Sequence, residues 1–135
     1  MASIDALAAE YWDLYLAVKP TYASLIGEHQ HDAEIEDLSD PARRDHTSRL
    51  RALQDRVEKA TAAEDPITHA LLLSAIEADL AEEETEILVG PADPYNGPHS
   101  EQLRWAAQTR ALAPAHAEAL AQRSRPVPRL LDQAL

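Results

Sequence analysis

Prolines at the starts of helical segments constrain this fold most strongly. Asp65-Pro66 joins a side chain that can cap a helix to a residue suited to the first helical turn, and Ser39-Asp40-Pro41 repeats the combination. Further prolines precede segments with helical spacing, at Pro20, Pro114 and Pro128. Because proline cannot continue a helix interior, these positions divide the chain into separate helices.

Between these signals, apolar residues recur every three or four positions, as they do on one face of an α-helix. The spacing is seen in Leu7, Tyr11 and Leu14, and again in Leu50, Leu53 and Val57. The chain has 26 Ala and 18 Leu but no Phe and only 3 Gly, which favours closely packed helices and gives strands little to build on. We predict an all-α fold, a helical bundle of about five to six helices.

The organisation along the chain follows from the same signals. The helix after Pro66 has apolar residues on more than one stripe, including Ile67 and Leu71, so we expect it to be the most buried helix. Polar and Pro/Gly-rich segments predict flexible loops near 28–38 and 89–99. We interpret residues 1–135 as one all-helical region. Its last helix stops soon after Pro128 without a closing signal, so we expect a portion of a larger helical fold.

The net charge of -12 argues against nucleic acids and anionic membrane surfaces as partners, because both are bound by clustered Lys and Arg. No apolar run is long enough to span a membrane, and the N-terminus has no signal-peptide pattern. The chain has no Cys. These observations predict a cytoplasmic location.

Charge is also divided between two helices. Six of the twelve basic residues lie between Arg43 and Lys59, whereas the segment from Glu77 to Glu86 is acidic and has no cation. We interpret the two segments as neighbouring antiparallel helices of opposite charge. The alternative, that the acidic segment faces a cationic partner or a metal, stays open.

Several motifs together carry a family resemblance. The segment EYWDLYLAVKPTYASLIGEHQHDAEIEDLSD contains a Tyr-Trp helix, a Pro-containing turn, an Ala-Ser-x-x-Gly step, a Gly-x-His loop and Asp-Leu-Ser. DPITHALLLSAIEADL and DPYNGPHSEQL follow it in order. In sequence and spacing, nearly the whole chain resembles the N-terminal region of the bacterial proteins grouped as domain of unknown function 885.

The resemblance implies a relation to zinc metallopeptidases. Members of that family are far longer, and their C-terminal half carries a helix with an H-E-x-x-H-type motif, in which two imidazoles bind zinc and the Glu activates the bound water. None of the six His in this chain is followed by Glu. The resemblance therefore implies a non-catalytic portion with no catalytic residue and no cofactor of its own, with zinc expected in full-length relatives.

The loop GEHQHD contains the candidate metal ligands of the chain. His29 and His31 point the same way if the loop is extended, and either Glu28 or Asp32 can complete a three-ligand site. In the structural alternative, one imidazole bonds the loop backbone and the other is solvated. For the remaining aromatic and imidazole side chains, we expect His46 and His69 in the core, His99 and His116 exposed, and Trp12 and Trp105 as core fillers.

Three functions remain open. The first is a non-catalytic helical region of a zinc-dependent peptidase, either a truncated product or a separately encoded piece, which walls the active-site cleft and packs against the catalytic helices. Its expected partner is a separately encoded catalytic half or a second copy of the chain. The second is a stand-alone helical module that binds another protein. The third is a small metal-dependent hydrolase that uses His29 and His31.

Overall fold

The computed structural model describes residues 2–63, 65–85 and 97–134, with the backbone alone at 98 and 99. These residues form seven α-helices and one short 3-10 turn and contain no strand, which confirms the all-α prediction. The short segment after Pro20 forms a helix of its own. The helices are α1 (Ile4–Val18), α2 (Pro20–Leu25), α3 (Asp40–Lys59), α4 (Pro66–Thr85), α5 (Pro98–Gln108), α6 (Pro114–Arg123) and α7 (Val127–Ala134), and the 3-10 turn is His29–His31.

The helix starts follow the capping residues. The Asp65 carboxylate accepts hydrogen bonds from the backbone N–H of Thr68 at 3.0 Å and from its hydroxyl at 2.6 Å, which satisfies a free N–H in the first turn of α4. Ser3 accepts the N–H of Ala6 at 3.3 Å at the start of α1. Proline occupies the first turn of α2, α5 and α6. The local signals in the sequence thus set these boundaries.

Helix α2 ends at a left-handed glycine. Gly27 has φ +94°, a backbone conformation that side chains with a Cβ adopt only with strain. The N–H of Glu28 bonds the carbonyl of Ala23 at 2.9 Å, and that of Gly27 bonds the carbonyl of Ser24 at 3.2 Å. This pair of bonds is the Schellman motif, and it turns the chain directly into the His-containing loop.

The chain packs as two compact units, and the first consists of residues 1–15 and 40–87. Arg43, near the start of α3, contacts Glu83 near the end of α4, whereas the backbone of Val57 near the end of α3 contacts His69 near the start of α4. The two helices are therefore antiparallel, as their opposite charges predict. The buried apolar core consists of Ile4, Leu7, Leu50, Leu53, Val57, Ala60, Leu72 and Ile76.

The burial of α4 differs from expectation. Only Leu72 and Ile76 of this helix are buried, while Ile67 is 71% and Leu71 65% exposed. The prediction that α4 is the most buried helix was wrong, because the first unit covers one stripe of α4 and leaves the other at the surface. On the buried side, the Tyr11 hydroxyl of α1 donates to the Asp79 carboxylate at 2.9 Å.

The second unit consists of residues 16–39 and 88–135. Its buried apolar residues are Leu16, Ala23, Ile35, Leu130 and Ala134. Asp37 accepts hydrogen bonds from the N–H of Ser39 and from the amide of Gln133, both at 3.0 Å, and so ties the loop after α2 to α7. That residues 1–135 act as one region stays a prediction.

The two predicted loops have different outcomes. The segment 28–38 contains the 3-10 turn and buries Ile35, and its flexibility stays a prediction. Most of the segment 89–99 lies outside the described residues, and α5 begins within it at Pro98. None of the described helices is both long and apolar enough to cross a membrane.

Candidate functional site

The His-containing loop is held by a buried carboxylate. Asp32 is 3% exposed and closes the 3-10 turn. Its Oδ1 accepts the hydroxyl of Ser24 at 2.5 Å, and its Oδ2 lies 2.8 Å from Nδ1 of His29. Burial acts to raise the pKa of Asp32, but hydrogen bonds from Ser24 and His29 and the positive charge of Arg123 outweigh it and lower the pKa. The carboxylate is therefore ionised and fixed in place.

Arg123, at the end of α6, is the largest fully buried side chain of the described residues. Its Nη2 lies 3.1 Å from the carbonyl oxygen of Pro20, 2.7 Å from Oγ of Ser24 and 2.6 Å from the carbonyl oxygen of His31. One guanidinium group thus joins α6 to α2 and to the His-containing loop. It also lies over the ring of Trp105 in α5, 4.5 Å from the ring centroid.

Only some of the N–H groups of Arg123 have hydrogen-bond partners among the described residues. Its Nε and Nη1 are buried without a hydrogen-bond partner among the described residues, and so is Oε2 of Glu36. Burial lowers the pKa of Arg123, while the charges of Glu36, Asp32 and Glu34 act in the opposite direction. A guanidinium stays protonated in proteins, so the second unit contains a buried cation compensated by nearby carboxylates.

His116 of α6 completes a cluster with the loop. Its ring stacks on that of His29 with centroids 3.8 Å apart and planes 15° apart. One ligand atom each from His29, Asp32 and His116 lies within 4.8 Å of the other two, the one such group of three found in the described part of the chain. Two imidazoles and one carboxylate are a donor set that zinc binds.

His31 lies outside this cluster. Its Nδ1 is 3.2 Å from Oε2 of the exposed Glu34, and the carbonyl of the same residue accepts from Arg123. In the 3-10 turn, residues two positions apart do not share a side, unlike in an extended loop. Of the candidate ligands suggested by the sequence, the structure therefore brings together His29 and Asp32, leaves out Glu28 and His31, and adds His116.

The remaining histidines and Trp12 differ in how far their burial agrees with the expectations from the sequence. His116 is half-buried, so its predicted exposure was wrong. Trp12 is 42% exposed and stacks on Tyr15, so its assignment as a core filler was also wrong. His46 is buried in α3, as expected of a core histidine. His69 is only half-buried, although its Nε2 lies 2.9 Å from the Val57 carbonyl. The side chain of His99 lies outside the described set.

The hydrogen-bond order in this site bears on its chemistry. Ser24, Asp32 and His29 form a row with the carboxylate in the middle. In a Ser-His-Asp triad the imidazole stands in the middle, because it must take the proton of the hydroxyl. Here the Ser24 hydroxyl donates to Asp32, and its oxygen also lies against Arg123. Ser24 is therefore not activated as a nucleophile.

A second, more open feature is a surface groove of about 580 Å³ in the first unit. It is lined by Asp40, Arg43, Arg44, Thr47, Ser48, Arg51 and Glu83. Arg43 pairs with Glu83 at 3.2 Å, and Arg51 with Glu84 at 3.5 Å. Since carboxylates already neutralise these arginines, the groove offers less to an anion than its arginine content suggests.

The family assignment follows from the match of the chain to a family model. Residues 20–135 match the model described as bacterial protein of unknown function, DUF885. The match includes α2, the His-containing loop and Arg123, and the chain therefore belongs to this family. No curated protein and no solved structure matches it.

Proposed function

We propose that this chain is a non-catalytic helical region of a DUF885 protein, which packs through α4 on a catalytic region that carries the zinc-binding helix. The observation that carries this proposal is the hydrogen-bond order of Ser24, Asp32 and His29, which leaves the hydroxyl without a general base. The zinc site implied by the family resemblance, an H-E-x-x-H helix, cannot be built from this chain, because none of its histidines is followed by Glu.

The surface of α4 supports the second part of the proposal. Ile67 and Leu71 lie one helical turn apart and are both mostly exposed. The exposed face continues along the helix through Ala70, Ser74, Ala78 and Ala81. Small side chains allow another helix to approach closely, and exposed large apolar side chains are typical of an interaction site. We propose that a helix of the catalytic region covers this face of α4, since the family resemblance implies such a region in longer relatives.

Two measurements test the proposal. Peptide cleavage by the purified chain, with and without added zinc, should stay at the level of a buffer control. The catalytic region of a longer DUF885 protein with an H-E-x-x-H motif, made as a separate polypeptide, should bind the chain in isothermal titration calorimetry. The double variant Ile67→Asp/Leu71→Asp should weaken that binding, because it places two charges on the contact face.

The matched control is Leu103→Asp/Leu112→Asp, which adds the same charges at two leucines that are both 75% exposed and belong to the other unit. This variant should bind like the parent chain. Self-association through α4 without binding to the catalytic region would overturn the proposal in favour of a stand-alone interaction module. Cleavage that is lost on replacing one side chain of this protein would overturn it in favour of a hydrolase.

A further inference from the structure

We propose that His29, Asp32 and His116 bind one divalent transition-metal ion, with Zn²⁺ as the best match, and that the ion joins the His-containing loop to α6. This inference is independent of the proposed function. It concerns a site on two segments that are far apart in the sequence, and it requires no reaction.

The donor atoms are grouped closely enough to reach one zinc ion after local side-chain movement. Zinc bonds of about 2.0 to 2.2 Å at tetrahedral angles place neighbouring ligand atoms roughly 3.3 to 3.6 Å apart. Nδ1 of His29 and Oδ2 of Asp32 are 2.8 Å apart, and all three ligand atoms lie within 4.8 Å of one another. The first pair must open by roughly half an ångström, and a pair at the 4.8 Å limit must close by roughly 1.5 Å. Both changes have to come from rotation of the two imidazoles, which are half-buried rather than fully enclosed.

The environment of His116 supports the metal site independently of the donor distances. Its Nδ1 is buried and has no hydrogen-bond partner among the described residues. A buried nitrogen of this kind is costly unless something binds it, and a metal ion is one such partner. The present stack of His29 and His116 is nearly parallel. Because an ion lies in the plane of each imidazole that binds it, metal binding should tilt the two rings towards each other.

The donor atoms of the cluster, two imidazole nitrogens and one carboxylate oxygen, favour a metal that nitrogen binds well. Asp32 supplies one negative charge, and the nearby cation Arg123 is compensated by Glu34 and Glu36 as well as by Asp32. Mg²⁺ and Ca²⁺ select oxygen donors, whereas imidazole suits zinc and its neighbours in the first transition row. With three protein ligands, the remaining coordination position is open to water.

The experiment is a titration of the full chain with Zn²⁺, followed by calorimetry, with Mg²⁺ and Ca²⁺ titrated in parallel. We expect one Zn²⁺ per chain and no comparable binding of the other two ions. His116→Ala and His29→Ala should each weaken zinc binding by more than about tenfold, since even changes beyond the direct ligands often weaken binding by that factor. The matched control is His31→Ala, on the same loop, which should bind zinc like the parent chain.

A second readout guards against variants that fail to fold. Circular dichroism should show helical spectra for all variants, and zinc should raise the melting temperature of the parent chain and of His31→Ala but not of His116→Ala. Two results would overturn the proposal: no stoichiometric zinc binding by the parent chain, or a loss on His31→Ala equal to that on His116→Ala. Without zinc binding, the stack of His29 and His116 is a purely structural contact. An equal loss on His31→Ala would mean that other residues bind the zinc.

Discussion

Replacing Arg123 tests whether a buried cation stabilises the second unit. Nη2 of Arg123 carries two protons and faces three acceptors, so it makes about two full hydrogen bonds. Hydrogen bonds from charged groups contribute about 1.5 to 3 kcal/mol each, which gives roughly 3 to 6 kcal/mol before the burial of the charge is counted. The unpartnered Nε and Nη1 oppose this gain, because their N–H groups have left water without a partner.

We expect Arg123→Ala to lower the free energy of unfolding by about 3 to 5 kcal/mol, the effect of breaking a buried charged network. Arg123→Met should lower it by about 2 to 3 kcal/mol, because methionine fills the space and removes the unpartnered N–H groups but leaves the carbonyls of Pro20 and His31 without their donor. Losses of this size are a large fraction of the stability of a typical domain, about 5 to 15 kcal/mol.

Urea unfolding followed by circular dichroism measures these changes. With a slope of about 1 to 3 kcal/mol per molar, the midpoint for Arg123→Ala should fall by roughly 1 to 2 M at an unchanged slope. The control is Arg125→Met, two residues further on at an exposed position, which should shift the free energy by less than about 0.5 kcal/mol. A midpoint of Arg123→Met at or above that of the parent chain would refute the reasoning, because desolvation of the guanidinium would then outweigh its hydrogen bonds.

Three further predictions use the same urea assay. Gly27→Ala should lower the free energy of unfolding by about 1 to 2 kcal/mol through backbone strain alone, since no atom lies within 4 Å of the added Cβ, and a smaller loss for Gly27→Asn would support that cause. Tyr11→Phe should lower it by about 1 kcal/mol, because Asp79 loses a donor, and no loss would mean that water replaces the hydroxyl. The backbone N–H of Ser39 lowers the pKa of Asp37 against the effect of burial, so its contribution to stability is full above the ordinary pKa of Asp and is lost as pH falls through the lowered value. Acidification from pH 5 to pH 2 should therefore destabilise the parent chain more than Asp37→Asn, and parallel profiles would contradict this.

The features that could be predicted from the sequence are those set by neighbouring residues. The cap at Asp65, the glycine stop at Gly27 and the first-turn prolines act within one or two helical turns, so the sequence pattern alone indicates them. The antiparallel pairing of α3 and α4 was also predictable, because a short connection and opposite charges both favour it.

The features that could not be predicted depend on contacts between distant segments. Which stripe of α4 is buried depends on how much of it α1 and α3 cover, and periodicity does not contain that information. Arg123 meets acceptors that precede it by 92 to 103 residues, and no local pattern distinguishes it from an exposed arginine at a helix end. His116 is likewise far from His29 in the sequence, so only two residues of the cluster, His29 and Asp32, could be identified from the loop.

The interrupted sequence of the second unit has a consequence for biosynthesis. Residues 16–39 emerge from the ribosome first, and their structural complement in residues 88–135 emerges only after all of residues 40–87. During that interval the carbonyls of Pro20 and His31 have no guanidinium to accept from, whereas α3 and α4 are already available to pair. The order of translation therefore allows residues 40–87 to fold early. Residues 16–39 can pack with residues 88–135 only later, through long-range contacts.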